Sequence, residues 1–427
     1  MDKFETLPYK RSRIAYIVQC AVEYGVSLML ADAFLAKLLS YIGISDARIG
    51  IISSLISLFM IMELISLVLV KCRLGAKKMN LIFDTLSNVF FMAIYLIPFL
   101  NMGKTVKTWL VVLSIFIAYT FKYAINSIRF QWANSNVDPY KRARYSAVKE
   151  IVSLIFGMVF TAVTGYIIDR FEDIGSITGA FLFISISILV LNIFNFICFV
   201  LMKKEDSSPV KQDDAGVCEA IGYIVKNRNV RNIILLSVLF QMSKFFTVGF
   251  MGTFKTKDLA YSVFAIQVIN IVSSLLRAFI SIPFGKFSDK RSYAIGMKLG
   301  MIIAAAAYFI NMFTVRQTRY FVIIYTVLLN ISEAGTMQNF YNISFSYSDR
   351  KHLVQVMALR SSISGICGFG ASLVAGKLLS VVQECDLTLF GIHIFGQQIL
   401  SAVSLFLVVI CILFIRNVIE KQKITVQ

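Results

Sequence analysis

Residues 177–202 read ITGAFLFISISILVLNIFNFICFVLM, a stretch without a single aspartate, glutamate, lysine or arginine. A helix that crosses the hydrocarbon core of a bilayer takes about 20 such apolar residues. The whole chain is similar, because 58% of its 427 residues are hydrophobic, only 15% are charged, and the mean hydropathy is +0.75. Soluble domains carry about 25% charged residues. The composition therefore excludes a disordered chain, a disulfide scaffold and a secreted enzyme, and it predicts an all-α polytopic membrane protein.

Twelve stretches of this kind occur along the chain. Each is predicted to be a helix, because a backbone in lipid has to satisfy its own polar groups. The predicted spans are 14–42, 48–70, 79–100, 109–132, 149–169, 177–202, 231–254, 261–284, 293–314, 320–345, 353–382 and 396–416. Several exceed about 25 residues, so tilt or extension into water is expected. The first apolar run is too long for a signal peptide and is expected to be retained.

Lysine and arginine are distributed unevenly over the connections between these spans. The chain has 42 of them against 24 acidic residues, which gives a formal net charge of +18. With the N-terminus inside, most of the connection charges fall on the inner side, as in cytoplasmic loops. The sequence thus predicts a multi-pass protein of the cell membrane with both termini in the cytoplasm. The charge indicates topology and contact with the lipid bilayer rather than a nucleic-acid partner.

The longest polar connection, 203–230, separates six spans from six. It predicts an N-terminal six-helix bundle over 1–202, a cytoplasmic linker over 203–230 and a C-terminal six-helix bundle over 231–427. Within the linker, Val217–Val225 is either a short amphipathic helix on the inner membrane surface or part of a solvated segment.

The two halves are related by an internal repeat. At an offset of 211 residues, small and charged residues of the fifth span and its preceding connection coincide with those of the eleventh. The matching pairs include Asp138 with Asp349, Lys149 with Arg360, Gly157 with Gly368 and Gly165 with Gly376. Glycines at such positions allow two helices to approach closely. The repeat predicts a duplicated, pseudo-symmetric six-helix unit.

Two short loops carry a more specific pattern. Residues 285–291, after the eighth span, read GKFSDKR, and residues 72–78, after the second, read CRLGAKK. Together with twelve spans and a parallel repeat, they resemble the major facilitator superfamily. The loop signature of that family is roughly G-x-x-x-D-R/K-x-G-x-R/K-R/K, at these same two places. Cys72 stands where the first copy has its aspartate in the family.

The resemblance implies transport by alternating access between the two six-helix halves. It also implies a gating role for the matching loop residues, which are Gly75, Lys77, Lys78, Gly285, Asp289 and Arg291. The alternative is that the basic residues of these loops only set the topology.

Four ionisable residues lie near the middle of spans 1, 4, 7 and 10: Glu23, Lys122, Lys244 and Glu333. Charges at this depth are costly and usually face a cavity or a partner. In the family resembled, these four spans line the central substrate cavity. Polar residues at helical spacing accompany them, including Asn126 and Gln241. We expect these six residues to bind substrate or a coupling ion. Alternatively, Glu23 with Lys122, or Lys244 with Glu333, are ion pairs that hold helices together.

Further intramembrane charges are less decisive. Glu63 and Arg277 lie at matching depths in spans 2 and 8, where they are interpreted as gate or packing residues. Asp84, Arg129 and Lys298 lie near the inner ends of their spans, from which long side chains can extend to the water interface.

Two carboxylates and two ammonium groups sum to zero charge, which favours a zwitterion, an organic anion or a polar neutral solute. The sequence therefore predicts a secondary transporter for a small polar or charged organic molecule, coupled to an ion, with the proton favoured, and acting as a monomer. One alternative is a multidrug/proton exporter. Antiporters of the family resembled often carry a glycine-proline motif in span 5, whereas span 5 here has glycines and no proline. A non-transporting receptor or a lipid-handling protein is a weaker alternative.

The sequence offers no sign of an enzyme, a cofactor or a metal site. Its two histidines, His352 and His393, lie in separate polar connections, and no CxxC, HExxH or phosphate-binding glycine motif occurs. No catalytic residue, cofactor or metal ligand is therefore predicted.

Overall fold

The computed structural model describes residues 6–69, 75–137, 142–203, 217–347, 353–385, 388–389, 392–393 and 395–421. Its α-helices are α1 Leu7–Met29, α2 Asp32–Tyr41, α3 Asp46–Phe59, α4 Glu63–Leu69, α5 Ala76–Leu96, α6 Lys104–Ala124, α7 Asn126–Ser135, α8 Arg142–Asp173, α9 Ile177–Leu201, α10 Val217–Lys226, α11 Arg228–Thr247, α12 Met251–Thr253, α13 Val263–Lys290, α14 Tyr293–Asn311, α15 Phe321–Tyr347, α16 Leu353–Cys385 and α17 Gly396–Phe414. Short 3₁₀ or π turns follow several of them, at Met60–Met62, Ile97–Phe99, Val248–Phe250, Phe254–Asp258 and Ile415–Ile419. Two-residue strands β1 Thr388–Leu389 and β2 Ile392–His393 form a small antiparallel hairpin. The predicted all-α fold is confirmed.

Eleven helical segments in the described part are long and apolar enough to cross a membrane. They are Asp46–Ile65, Ala76–Phe99, Lys104–Ala124, Val148–Asp173, Ile177–Leu201, Arg228–Asp258, Val263–Ser288, Tyr293–Asn311, Phe321–Ser344, Val356–Cys385 and Gly396–Ile419. The pair α1 and α2, bent by 42°, makes a twelfth span if it counts as one. Its second helix begins at Asp32, whose φ of 45° lies in the left-handed region. The predicted first span is therefore broken rather than straight.

The helices group into two compact units. Unit 1 comprises Met1–Ser45, Met62–Pro209 and Ser262–Gln267, and unit 2 comprises Asp46–Ile61, Val210–Tyr261 and Val268–Gln427. In unit 1, α1 packs on α8 and α9, while α5 packs on α6 and α9. In unit 2, α11 packs on α16 and α17, while α14 packs on α15 and α17. Each pairing in unit 2 repeats the one six spans earlier, so the duplicated six-helix unit is confirmed. The boundaries at residues 202 and 231 stay a prediction.

Glycines mark equivalent close approaches in the two units. In unit 1, a Cβ atom on Gly157 of α8 would press on the Tyr24 ring of α1. In unit 2, a Cβ atom on Gly368 of α16 would lie 2.9 Å from Cδ2 of Phe245 on α11. These are the fifth and first spans and their repeats, so the glycine pair related by 211 residues serves the same packing contact.

Helix α14 carries small residues where it meets α15. Gly296, Gly300 and Ala304 follow one another at intervals of four residues. A Cβ atom on Gly300 would lie 3.0 Å from the backbone oxygen of Ser332 and 3.1 Å from the backbone nitrogen of Thr336. The two helix backbones are therefore almost in contact at Gly300, in the manner of small-residue packing in membranes.

Replacing Gly300 by alanine is expected to destabilise the protein by about 1–3 kcal/mol, because α14 has to move away from a rigid backbone. Thermal unfolding of the purified protein in one detergent measures this effect. Gly370→Ala is the matched control. Gly370 is helical like Gly300, but it is exposed, and a Cβ atom there meets nothing within 4 Å. Equal melting temperatures for the two variants would contradict the proposed packing.

The segment that precedes α11 is helical. Of the two alternatives for Val217–Val225, the helix is confirmed as α10, which extends to Lys226 and packs on α11 and α16. Asn227 then ends α10 and caps α11, because its side-chain oxygen accepts from the backbone nitrogens of Asn229 and Val230 at 3.1 and 3.3 Å. Contact of α10 with lipid stays a prediction.

Candidate functional site: two charge clusters

Unit 1 contains four charged side chains in mutual contact, Glu23, Asp84, Lys122 and Arg129, which we name the first charge cluster. Glu23 on α1 lies between two cations. Its Oε1 is 3.4 Å from Nζ of Lys122 on α6, and its Oε2 is 2.6 Å from a guanidinium nitrogen of Arg129 on α7. Arg129 also donates to Oδ1 of Asp84 on α5 at 2.9 Å. The cluster therefore joins spans 1, 3 and 4 and balances two negative charges with two positive ones.

Arg129 and Asp84 do not extend to the inner membrane surface, so that prediction is wrong. Their side chains are only 6% and 3% exposed. The fourth span breaks at Ile125, and Arg129 lies on α7 after the break. Two carboxylates hold the guanidinium in place, and such charge-assisted pairing offsets the loss of contact with water.

A set of asparagines supports Asp84 from the side opposite Arg129. Asp84 Oδ2 accepts from Asn88 at 3.2 Å and from the side chain of Asn195 on α9. Asn88 in turn donates to Asn192 at 3.2 Å. This network was not predicted from the sequence, although a signal was present. Asn88 follows Asp84 by one helical turn, and Asn192 and Asn195 lie one turn apart in an otherwise apolar span.

Two further polar side chains of spans 1 and 4, those of Gln19 and Asn126, donate hydrogen bonds to different carboxylates. Gln19 donates to Glu23 at 2.8 Å and lies one helical turn before it on α1. Asn126, a predicted site residue, instead donates to Glu63 at 3.2 Å, and its side chain is exposed. Asn126 therefore lies beside the first charge cluster without a hydrogen bond to it. Glu63, interpreted from the sequence as a gate or packing residue, has this partner within its own unit.

Unit 2 contains the second charge cluster, which consists of Lys244, Arg277 and Glu333. Lys244 on α11 donates to one carboxylate oxygen of Glu333 on α15. Arg277 on α13 donates to the other oxygen at 2.8 Å. The cluster joins spans 7, 8 and 10 and leaves two positive charges against one negative. Arg277, expected only as a gate or packing residue, thus belongs with the predicted site residues Lys244 and Glu333.

Gln241 lies one helical turn before Lys244 on α11. Its side-chain oxygen is buried and has no hydrogen-bond partner among the described residues. A buried amide acceptor without a donor is costly, and it usually marks a place where a water or a ligand binds. The structure therefore keeps Gln241 next to the second charge cluster with an acceptor available.

The residues of the two loops that are predicted to take part in gating lie at or near helix ends. Gly75 precedes α5, and Lys77 donates from its first turn to the backbone oxygens of Val200 and Met202 at 2.7 and 2.6 Å. These oxygens are at the C-terminal end of α9, where a cation is favourable. Lys78 is exposed. Cys72 lies outside the described residues.

In the second loop, Gly285 and Asp289 belong to the last turns of α13, and Arg291 follows its end. The side chain of Asp289 lies outside the description. Ser292 then caps α14 by accepting from the backbone nitrogen of Ala294 at 3.2 Å. These positions account for short, well-defined connections, and the gating role of the six loop residues stays a prediction.

Lys298, the third residue expected near an inner end, pairs with Glu420 at 2.5 Å, and the two side chains are 27% and 23% exposed. It is therefore partly exposed and neutralised by an acidic partner, and its extension to the water interface stays a prediction. A metal site is not indicated, since the described residues contain no group of three or more histidine, cysteine, aspartate or glutamate side chains that could hold an ion.

Repeated units of membrane-crossing helices, each with ion pairs at mid-span, define a polytopic membrane protein. The chain belongs to the Major Facilitator Superfamily, whose sequence profile matches residues 14–372. This family membership indicates a transporter rather than an enzyme. No curated protein sequence matches the chain significantly.

Solved structures with similar folds belong to several transporters. The nucleoside transporter NupG has a TM-score of 0.66 and 14% identity, covering 98% of this chain and 100% of its own. The POT family transporter PepTSo has a TM-score of 0.70 and 11% identity, covering 98% and 99%. A D-xylose-proton symporter has a TM-score of 0.69 and 10% identity, covering 95% and 97%. At these identities the likeness shows the fold alone.

Proposed function

We propose that the chain is a proton-coupled secondary transporter that moves a small polar or charged organic solute by alternating access. One observation carries this proposal. Each unit holds one half-buried carboxylate, near the middle of a span, between two cations: Glu23 between Lys122 and Arg129, and Glu333 between Lys244 and Arg277. Ionisable groups are rare at this depth, and they commonly belong to substrate and proton pathways.

A carboxylate shared in this way can link a proton to the arrangement of helices. The ionised form ties its helix to those that carry the cations. Protonation removes the charge and loosens both ties, so the cations become available to another partner. A solute that competes for the same cations would therefore favour uptake of a proton in a site from which water is largely excluded. Such reciprocal coupling is what a symporter requires.

The family and the named relatives fit this class of solute. One of the proteins with a similar fold is named as a nucleoside transporter and another as a D-xylose-proton symporter. Nucleosides and D-xylose are both polar organic molecules. We further propose that the protein works as a monomer in the cell membrane with both termini in the cytoplasm. In this proposal the loop residues near Gly75 and Gly285 take part in gating.

Coupling can be tested with the full chain reconstituted in liposomes that contain a pH-sensitive dye. Solutes found by a thermal-shift screen are added outside, and we expect each transported solute to carry protons in the same direction. A carboxylate outside the clusters supplies the control: Glu172→Gln removes the acid of the Lys37–Glu172 pair, in which Glu172 is 49% exposed, and proton movement should persist. Solute uptake that ignores an imposed pH gradient would rule out proton coupling.

The multidrug exporter is distinguished by its substrate range. Expression of an exporter would protect cells against several unrelated compounds, whereas a solute-specific symporter would not. Span 5, described as Val148–Asp173, contains Gly157 and Gly165 but no proline, so the glycine-proline pattern of antiporters in this family is incomplete. Broad resistance, together with proton movement in the direction opposite to that of the solute, would favour the exporter.

A further inference from the structure

The second charge cluster has an imbalance that the first does not. Lys244 and Arg277 share one carboxylate, that of Glu333, and the described residues supply no other ion pair to either cation. The cluster therefore carries one formal positive charge in excess. In the first charge cluster, Lys122 and Arg129 face two carboxylates, Glu23 and Asp84, and the formal charges cancel.

The excess charge lies deep in the membrane. Arg277 is fourteen residues after the start of α13, which places it about 20 Å along the helix, near the middle of the Val263–Ser288 span. An unbalanced cation in hydrocarbon is strongly unfavourable, and ionisable groups at this depth are rare for that reason. A protein keeps such a group where water or a ligand of opposite charge reaches it.

The cations of the second cluster are also the less buried part of it. Arg277 is 39% exposed and Lys244 is 22% exposed, whereas the Glu333 side chain between them is 15% exposed. Among the described residues, Arg277 uses one guanidinium nitrogen on Glu333, and Lys244 donates one hydrogen bond from its ammonium group. A guanidinium has five donors and an ammonium three, so donors of both side chains are available.

We propose that Arg277 and Lys244 bind the oxyanion group, a carboxylate or a phosphate ester, of an organic anion that is the transported solute. The proposal rests on the proposed transport function and deepens it. The planar guanidinium of Arg277 matches an oxyanion with two parallel hydrogen bonds, and Lys244 adds a compact charge. The neighbouring Gln241 oxygen, which is buried and has no donor in the described part of the chain, accepts from a hydroxyl or amino group of the same solute.

This assignment narrows the solute class. The balance expected from the sequence, two acids against two bases, allowed a zwitterion, an anion or a neutral molecule. The contacts add Arg277 to the pair formed by Lys244 and Glu333. They add both Arg129 and Asp84 to the other pair. One cluster is thereby neutral and more enclosed, and the other is positive and accessible, so the two clusters are suited to different tasks.

The test measures binding by the full chain in lipid nanodiscs at fixed ionic strength. The probes are cellular carboxylic acids and phosphate monoesters, each beside its neutral amide or alcohol, together with a set of amines, all tested singly by thermal shift. We expect stabilisation by carboxylates or phosphate esters and not by their neutral relatives or by amines. Whichever anion series stabilises the protein identifies the oxyanion.

Charge variants of the cluster give a graded result. Arg277→Gln leaves Lys244 and Glu333 as a neutral pair, so the fold is kept, and the dissociation constant of the anion is expected to rise by at least about tenfold. Lys244→Gln gives a second neutral cluster with the same expectation. Glu333→Gln removes the competing carboxylate and is expected to keep or tighten anion binding.

Lys298→Gln is the matched control, since Lys298 is a partly exposed cation of the same unit that pairs with one acid, and its loss should leave anion binding unchanged. The proposal is overturned if no anion stabilises the protein, if amines or neutral relatives stabilise it equally, or if Arg277→Gln binds the anion as the natural chain does. If the stabilising solutes are neutral and still move protons, only this assignment fails. If an anion binds at Arg277 without any proton movement, the coupling proposal fails instead.

Discussion

Arg129→Gln is expected to lower the free energy of unfolding by about 3–5 kcal/mol, the usual cost of removing one partner of a buried ion pair. Arg129 holds two carboxylates at once, Glu23 at 2.6 Å and Asp84 at 2.9 Å. Among the described residues, Asp84 without it keeps the hydrogen bonds from asparagines, and Glu23 keeps Lys122 and Gln19. The measurement is the thermal or denaturant-induced unfolding of the purified protein in detergent, together with its yield from membranes.

The cause of this loss can be separated from a general packing defect. Asp84→Asn in the same chain removes the buried carboxylate that Arg129 leaves behind, so the double variant should recover much of the stability, and the double-mutant cycle should show strong coupling. Lys37→Gln is the control, because its pair with Glu172 is exposed and contributes less than about 1 kcal/mol. An Arg129→Gln protein as stable as the Lys37→Gln protein would contradict the role assigned to the first charge cluster.

Glu333→Gln is expected to abolish proton-driven accumulation of solute while the protein remains folded and inserted. The amide keeps the shape and can still accept a hydrogen bond from Lys244 or Arg277, but it cannot carry a proton. Solute should therefore still exchange across the membrane without being concentrated by a pH gradient. Counterflow and gradient-driven uptake, measured on the same proteoliposomes, distinguish the two outcomes.

A second acid of unit 2 provides the comparison for Glu333. Glu420 pairs with Lys298 at 2.5 Å near the end of the last span, so Glu420→Gln changes an acid to an amide without touching the second charge cluster. Its accumulation should stay near that of the natural chain. Gradient-driven accumulation by Glu333→Gln at the same level would show that this carboxylate does not carry the coupling proton.

Lys122→Ala is expected to impair coupling in the first charge cluster, because it leaves Glu23 and Asp84 to share Arg129 alone. Its loss of stability should be smaller than that of Arg129→Gln, since the Lys122–Glu23 distance is 3.4 Å and Glu23 retains the closer guanidinium. Near-normal accumulation by both Lys122→Ala and Glu333→Gln would remove the basis for a coupling site in either cluster.

The depth of the site residues in the membrane was largely predictable from the sequence. The direction in which their side chains point was not. Counting residues along each span placed Glu23, Lys122, Lys244 and Glu333 near mid-membrane, and the structure brings them together in two pairs. The same counting treated Asp84 and Arg129 as interfacial, because it assumed straight helices and side chains free to extend along them. The break at Ile125 and the partners supplied by α1, α5 and α9 direct both side chains into the protein.

Hydropathy, the internal repeat and the positions of charged residues are enough to predict that the chain crosses a membrane about twelve times, that its halves repeat, and which residues place charge at depth. These properties follow from local requirements, since every segment in lipid has to be apolar and to satisfy its own backbone. Which charges meet depends on how the helices pack. Arg129 bridges Glu23 and Asp84, and Arg277 joins Lys244 on Glu333. Such contacts depend on how each helix is rotated and broken against its neighbours, so one neutral and one positive cluster arise from charges that the sequence had only summed to zero.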